Sequence, residues 1–163
     1  MGLNGLMIVR AARAEELAEV GELRVAAYTS QHLLDRVPWY ADRLRRLGEH
    51  GEVLVAVDGD KILGTALLER WHEDSELAAG PADAEIRAFA VAPDAQGRGV
   101  GRMLVRAVVE RAAELGARRV LLSTQPIMLA AQRLYEEAGF VRAPELDFEP
   151  AQGFTMLAYQ KEL

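Results

Sequence analysis

Glu85-Ile86-Arg87-Ala88-Phe89-Ala90-Val91-Ala92-Pro93-Asp94-Ala95-Gln96-Gly97-Arg98-Gly99-Val100-Gly101-Arg102 passes from an apolar, β-prone run into a glycine-rich turn. The residues after the turn change period. Leu104, Val108, Ala112 and Leu115 fall on one face of a helix, with Arg102, Arg106, Glu110 and Glu114 opposite. The stretch therefore predicts a strand over Glu85–Val91, a turn, and a helix over Val100–Leu115, with Gly116 placed to end that helix. Such a junction is an anion site in the making. The first helical N–H groups lack intrahelical partners, the helix dipole favours negative charge there, and glycines let a phosphate approach the backbone. Arg98 and Arg102 place positive charge beside it.

Working outward, Val53–Val57 and Ile62–Leu68 read as strands, and Asp58-Gly59-Asp60 between them is a hairpin signal. Upstream, Met7–Val9 reads as a short strand and Glu15–Tyr28 as a helix. A looser helical stretch follows over Gln31–Leu47, interrupted at Pro38. The polar Trp71–Asp83 segment reads as a loop. Downstream come a buried strand at Arg119–Ser123, a helix over Leu129–Ala138 closed by Gly139, and a last strand at Phe154–Gln160. The order βααββ, βαβα, β predicts an α/β (α+β) fold in which helices cover one mixed sheet.

The 163 residues fit a single domain over 1–163. With no cysteine, disulfides, thiolate metal sites and a cysteine nucleophile are excluded. His32, His50 and His72 show no metal-ligand spacing, so no metal is expected. No apolar run approaches the ~20 residues of a membrane span, and Met1–Arg10 lacks a charged segment before its short apolar stretch. The expectation is a cytoplasmic protein with no membrane partner. The formal net charge of −6 disfavours a nucleic-acid partner and suits a cationic or neutral one. Lys61 and Lys161 are the only lysines among many arginines and alanines, a bias of GC-rich bacterial genomes.

Which phosphate ligand the turn takes can be narrowed. A Walker A loop needs Gly-Lys-Ser/Thr, which is missing. A dinucleotide fingerprint needs a third glycine where Arg102 stands, and an acidic residue where Val120, Leu121 and Leu122 stand. Gln96-x-x-Gly99-x-Gly101 instead resembles the Q/R-x-x-G-x-G/A signature of the GNAT superfamily of N-acetyltransferases, after a strand ending Ala90-Val91-Ala92-Pro93. Ala131-x-x-Leu134-Tyr135-x-x-x-Gly139-Phe140 resembles that superfamily's second motif. The order of elements agrees over nearly the whole chain.

The resemblance implies a mixed sheet of six to seven strands flanked by four helices, with two parallel strands, Glu85–Val91 and Arg119–Ser123, splaying apart. It implies acetyl-CoA as cosubstrate. The pyrophosphate would lie on the backbone of Gly97, Arg98, Gly99, Val100, Gly101 and Arg102, with Gln96 in the signature. The pantetheine would lie along Phe89, Ala90 and Val91. Tyr135 takes the position of the general acid and Glu85 that of the general base. Both positions also read otherwise: Tyr135 belongs to an Ala131, Leu134, Tyr135, Ala138 core stripe, and Glu85 could pair with Arg87 or Arg24. Met128 stands where many members carry asparagine, and Ser123 where those that acetylate ribosomal protein N-termini carry glutamate.

The acceptor is then a primary amine of a small molecule or peptide, and a homodimer is among the expected states. By resemblance its site takes His32, Trp39 and Tyr40, then Trp71–Asp83, then Glu145–Gln152. Glu73, Asp74, Glu76, Asp147 and Glu149 make two of these segments acidic, either to attract a cation or as ordinary solvated loops. An acyl-CoA-binding sensor without turnover is the alternative on the same fold.

Overall fold

The computed structural model of the chain describes residues 7–163, so the part of the Met1–Arg10 segment before Met7 lies outside the described residues. Its strands are β1 (Met7–Ala11), β2 (Gly51–Asp58), β3 (Lys61–Arg70), β4 (Asp83–Val91), β5 (Arg119–Thr124), β6 (Val141–Arg142), β7 (Phe148–Ala151) and β8 (Phe154–Glu162). Its helices are α1 (Leu17–Ser30), α2 (Tyr40–Arg46), α3 (Val100–Glu114) and α4 (Leu129–Glu137). The sheet runs β1-β2-β3-β4-β5-β8-β6, with β7 paired to β8, and among the described residues its one parallel pair is β4–β5.

Period-two alternation decides which side of the sheet each helix covers. In β2, Leu54 and Ala56 join the core under α3, which supplies Val100, Leu104, Val105, Val108 and Ala112. Val55 and Val57 point the other way, onto Val20 and Leu23 of α1. Burying a leucine of this kind contributes about 2 kcal/mol, so Leu104 and its neighbours fix α3, and with it the glycine turn, against the sheet. The 58–61 hairpin closes as read, with Asp58 opposite Lys61 and Gly59 at φ 61°.

Two segments differ from the sequence reading. The Gln31–Leu47 stretch is helical only over Tyr40–Arg46. His32 adopts φ 61° and the Leu33 N–H returns to the Tyr28 carbonyl, which ends α1 and turns the chain. The sheet also gains β6, and β7 lies within the Glu145–Gln152 segment. β6 is two residues long, and β7 contains Pro150 and meets β8 in shifted register. Proline cannot donate to a ladder, so β7 carries little strand signal.

Candidate active site

The parallel pairing of β4 and β5 stops early. Asp83, Ala84 and Glu85 face Arg119, Val120 and Leu121, and no rung follows, although β4 runs on to Val91 and β5 to Thr124. Opposite the gap, β4 bulges: Leu67 faces Arg87 but Thr65 faces Ala90, so β4 holds one residue more than β3. Ala88 takes up the extra residue at φ 50°, a left-handed conformation rare outside glycine, asparagine and aspartate. The bulge bends β4 away from β5, and the backbone of Phe89–Val91 faces a cleft in place of a neighbouring strand.

The far end of the cleft is the glycine turn. Gly97 and Gly99 adopt φ 80° and 81°, which L side chains resist, and a Cβ on either would point into open space. Gly99 is the N-cap of the 15-residue α3 and offers no side-chain cap, so the first amides of α3 remain free to donate. A cavity of about 190 Å³ lies there. Gln96, Gly97, Gly99, Val100 and Gly101 line it with Phe89, Ala90 and Val91 of β4 and Ala131 and Leu134 of α4. Arg98 and Arg102 are not in its wall. Their guanidinium groups bridge to Asp58 at 3.2 Å and Glu137 at 3.1 Å, so the turn's attraction for an anion rests on backbone dipoles.

A second cavity, about 130 Å³, opens at the other end of the cleft, and Tyr28, Phe89 and Met128 line both. Glu85 and Tyr135, on separate elements, both face it. Glu85 is only 2% exposed. The N–H groups of Leu77 and Ala78 donate to its Oε1 at 2.7 and 2.6 Å, which orients the carboxylate and leaves Oε2 for another partner. Burial raises its pKa, against the lowering effect of those two N–H groups and of Arg87. It pairs with neither Arg87 nor Arg24. Arg87 contacts Glu69 at 3.5 Å, Glu76 at 3.3 Å and the Tyr40 hydroxyl at 3.2 Å. Arg24 sends Nη1 to the carbonyls of Leu44 and Leu47.

Tyr135 is 4% exposed and packs edge-on to Phe89, with ring centroids 5.8 Å apart. It serves both readings made from sequence, as a member of the core cluster and as a wall of the cavity. Burial alone raises its pKa, so the hydroxyl holds its proton well into the alkaline range.

Of the residues and segments expected around an acceptor, Trp39, Tyr40, Glu76, Leu77, Phe148 and Pro150 line this cavity. His32 is exposed and pairs with Asp35 at 3.3 Å. Asp147 pairs with Arg142 at 2.8 Å and accepts from the Ala158 N–H. Arg87, Tyr28 and Gln125 also line the cavity and carry no local sequence signal; Gln125 ties its own loop to the Leu33 carbonyl at 2.7 Å. Among the described residues no group of acidic or histidine side chains is arranged to hold a metal, and no helix is long and apolar enough to cross a membrane.

Comparison with known proteins places this geometry among acetyltransferases. The model of the acetyltransferase (GNAT) family matches residues 17–140. Mycothiol acetyltransferase of Geodermatophilus obscurus is 38% identical over 89 residues, 54% of this chain and 28% of that protein. The match thus spans less than a third of that curated relative. Among solved structures, yncA of Salmonella typhimurium with its cofactor acetyl-CoA aligns at a TM-score of 0.69 and 21% identity, covering 97% of this chain and 94% of the other. The ribosomal-protein-S18-alanine N-acetyltransferase of Escherichia coli aligns at 0.71 and 18% identity, covering 96% and 93%.

Proposed function

The chain belongs to the GNAT acetyltransferase family, and on that premise we propose that it transfers an acetyl group from acetyl-CoA to a primary amine held between Glu85 and Tyr135. One observation carries the reading. The β4–β5 pairing ends at Glu85–Leu121, and the cleft so opened leads from an uncapped helix N-terminus to a cavity faced by both a buried carboxylate and a buried phenol.

The residues fit the donor. Free amides at Gly97 to Arg102 suit a pyrophosphate, and the Phe89–Val91 backbone beyond the last rung can hydrogen-bond an amide-bearing arm as an added strand would. Bound acetyl-CoA supplies an activated thioester, whose acetyl group passes to the amine nitrogen as the carbon–sulfur bond breaks and the thiol is released. An alkylamine has a pKa near 10 and is mostly protonated at neutral pH, so it needs a base. Glu85 serves, with Oε1 pinned by two N–H groups and Oε2 free to take the proton. Tyr135, kept protonated by burial, delivers a proton to the departing sulfur.

The test is thermal. Acetyl-CoA at ~100 times its Kd should stabilise the protein by about 2.7 kcal/mol. Gly99→Val, forced against φ 81°, should remove most of that shift. An unchanged shift in the variant would move the donor site elsewhere. Thiol release in the presence of amines then separates an enzyme from an acyl-CoA sensor, which would bind the donor and release nothing.

A further inference from the structure

We infer that the acceptor is a small monoamine on an aromatic or branched apolar body, with no carboxylate beside the amine and no second cation. The inference rests on the proposed function and concerns the cavity that holds Glu85.

Size comes first. The cavity is about 130 Å³, close to the ~150 Å³ engineered cavity that binds benzene. It has room for one ring or a branched chain of similar bulk, and a larger molecule must leave part of itself outside. Its walls are apolar on three sides. Val37 and Trp39 come from the segment before α2, Leu77 from the loop before β4, and Phe148, Phe154 and Met156 from the β7–β8 hairpin. With Glu76 matched by Arg87, such walls leave a second ammonium without a free carboxylate, and a buried charge without a partner is costly.

Charge then selects the functional group. The cavity's cation, Arg87, is already matched by two carboxylates, Glu69 and Glu76, and held by the Tyr40 hydroxyl. With Glu85 added, the groups facing the acceptor sum to the acidic side. Arg24 is not in the cavity wall; its Nη1 donates to the carbonyls of Leu44 and Leu47, while its Nε and Nη2 are buried without a hydrogen-bond partner among the described residues. An incoming ammonium is drawn to Glu85, the carboxylate of the wall that no cation matches among the described residues. An incoming carboxylate finds Arg87, the cation of the cavity wall, already occupied and meets repulsion from Glu76 and Glu85.

The experiment is calorimetric titration of amines into the CoA-loaded protein, where no turnover can occur. The probes are 2-phenylethylamine, phenylalanine, spermidine, an aminoglycoside and a short peptide with an apolar N-terminal residue. 2-Phenylethylamine should bind at least ~10-fold tighter than each of the others, the scale on which pockets discriminate by fit. Met156→Trp should abolish its binding while CoA still binds, which shows that the variant is folded. Equal or tighter binding of phenylalanine, spermidine, the aminoglycoside or the peptide overturns the inference, as does an amine that binds Met156→Trp unchanged. Failure of CoA itself to bind overturns the donor reading instead. The same titrations into the free protein would then decide the acceptor inference alone.

Discussion

Glu85 and Tyr135 are both almost out of reach of water, and burial disfavours the anion of each. The carboxylate becomes more basic, and the phenol keeps its proton at neutral pH. For Tyr135→Phe, the ring and its contacts with Phe89 and Phe140 remain, so the melting temperature should change little. Acetyl-CoA affinity should hold while kcat falls by ~10²–10⁴-fold, the usual worth of general acid catalysis. Wild-type kcat with a rate-limiting chemical step would return Tyr135 to the core. Glu85→Gln should lose kcat/KM mostly at neutral pH and recover part of it where the amine deprotonates itself. The same variant carries a stability signature. A carboxylate whose folded pKa is raised destabilises the fold once pH climbs past its ordinary value, and the full cost is present above the raised one. Glu85→Gln, which never ionises, should therefore melt higher than wild type at pH 7 and match it at acidic pH, as thermal melts over a pH series can check. A variant that melts lower at pH 7 would show that the two N–H bonds outweigh burial.

At the scale of elements, the site depends on a strand that fails to pair. The bulge in β4 rests on Ala88, buried and held at φ 50°. Ala88→Val puts a β-branched side chain into a left-handed conformation, at a cost of about 2 kcal/mol. The alternative open to the strand is to lose the bulge and shift register, which turns Phe89 away from the cleft. Either outcome should appear as a lower melting temperature together with a smaller acetyl-CoA shift, whereas Ala88→Gly should keep the shift. Nothing in the sequence marks this residue, because alanine has no preference for positive φ. The glycine turn was legible because Gly97, Gly99 and Gly101 are the residues such a turn demands, and α3 because its apolar face repeats at helical spacing. The short β7 was hidden by Pro150, and the coil at residues 31–37 by apolar residues that pack without being helical. The Glu69–Arg87–Glu76 network was invisible for another reason: its members lie on two strands and the loop between them, and a charge reads the same in sequence whether it is solvated or paired.

Across the whole molecule, the sheet falls into two parts, β1 to β4 and β5, β8, β6 and β7. Among the described residues, their strands pair across the divide only at the three rungs from Asp83–Arg119 to Glu85–Leu121. The first rung is clamped. Arg119 donates Nε and Nη2 to the two oxygens of Asp83 at 3.0 and 2.8 Å, and the Ala79 N–H adds a third bond at 2.8 Å. This clamp lies two rungs from the Glu85–Leu121 pair at which the cleft opens, and its residues line neither the glycine-turn cavity nor the Glu85 cavity. The Arg119 hydrogen bonds hold the Asp83 carboxyl below its ordinary pKa, with burial opposing. A lowered folded pKa means that the stabilisation is complete above the ordinary carboxylate value, near 4, and is lost as pH falls through the lowered one. Asp83→Asn keeps the shape and removes the charge, so it should cost about 2 kcal/mol at pH 7, the worth of a charged hydrogen bond. That corresponds to a melting point lower by roughly 4–8 °C for a chain of this size. The gap between variant and wild type should hold from pH 7 to pH 5 and close only under strongly acidic conditions. A gap of constant size at every pH would assign the loss to packing at the rung. If the clamp sets the angle of the cleft, hydrogen exchange of the β5 amides should quicken in the variant and the acetyl-CoA shift should shrink, although Asp83 touches neither cavity. A normal acetyl-CoA shift in a destabilised variant would mean that α3 and α4 alone hold the two halves at the binding angle.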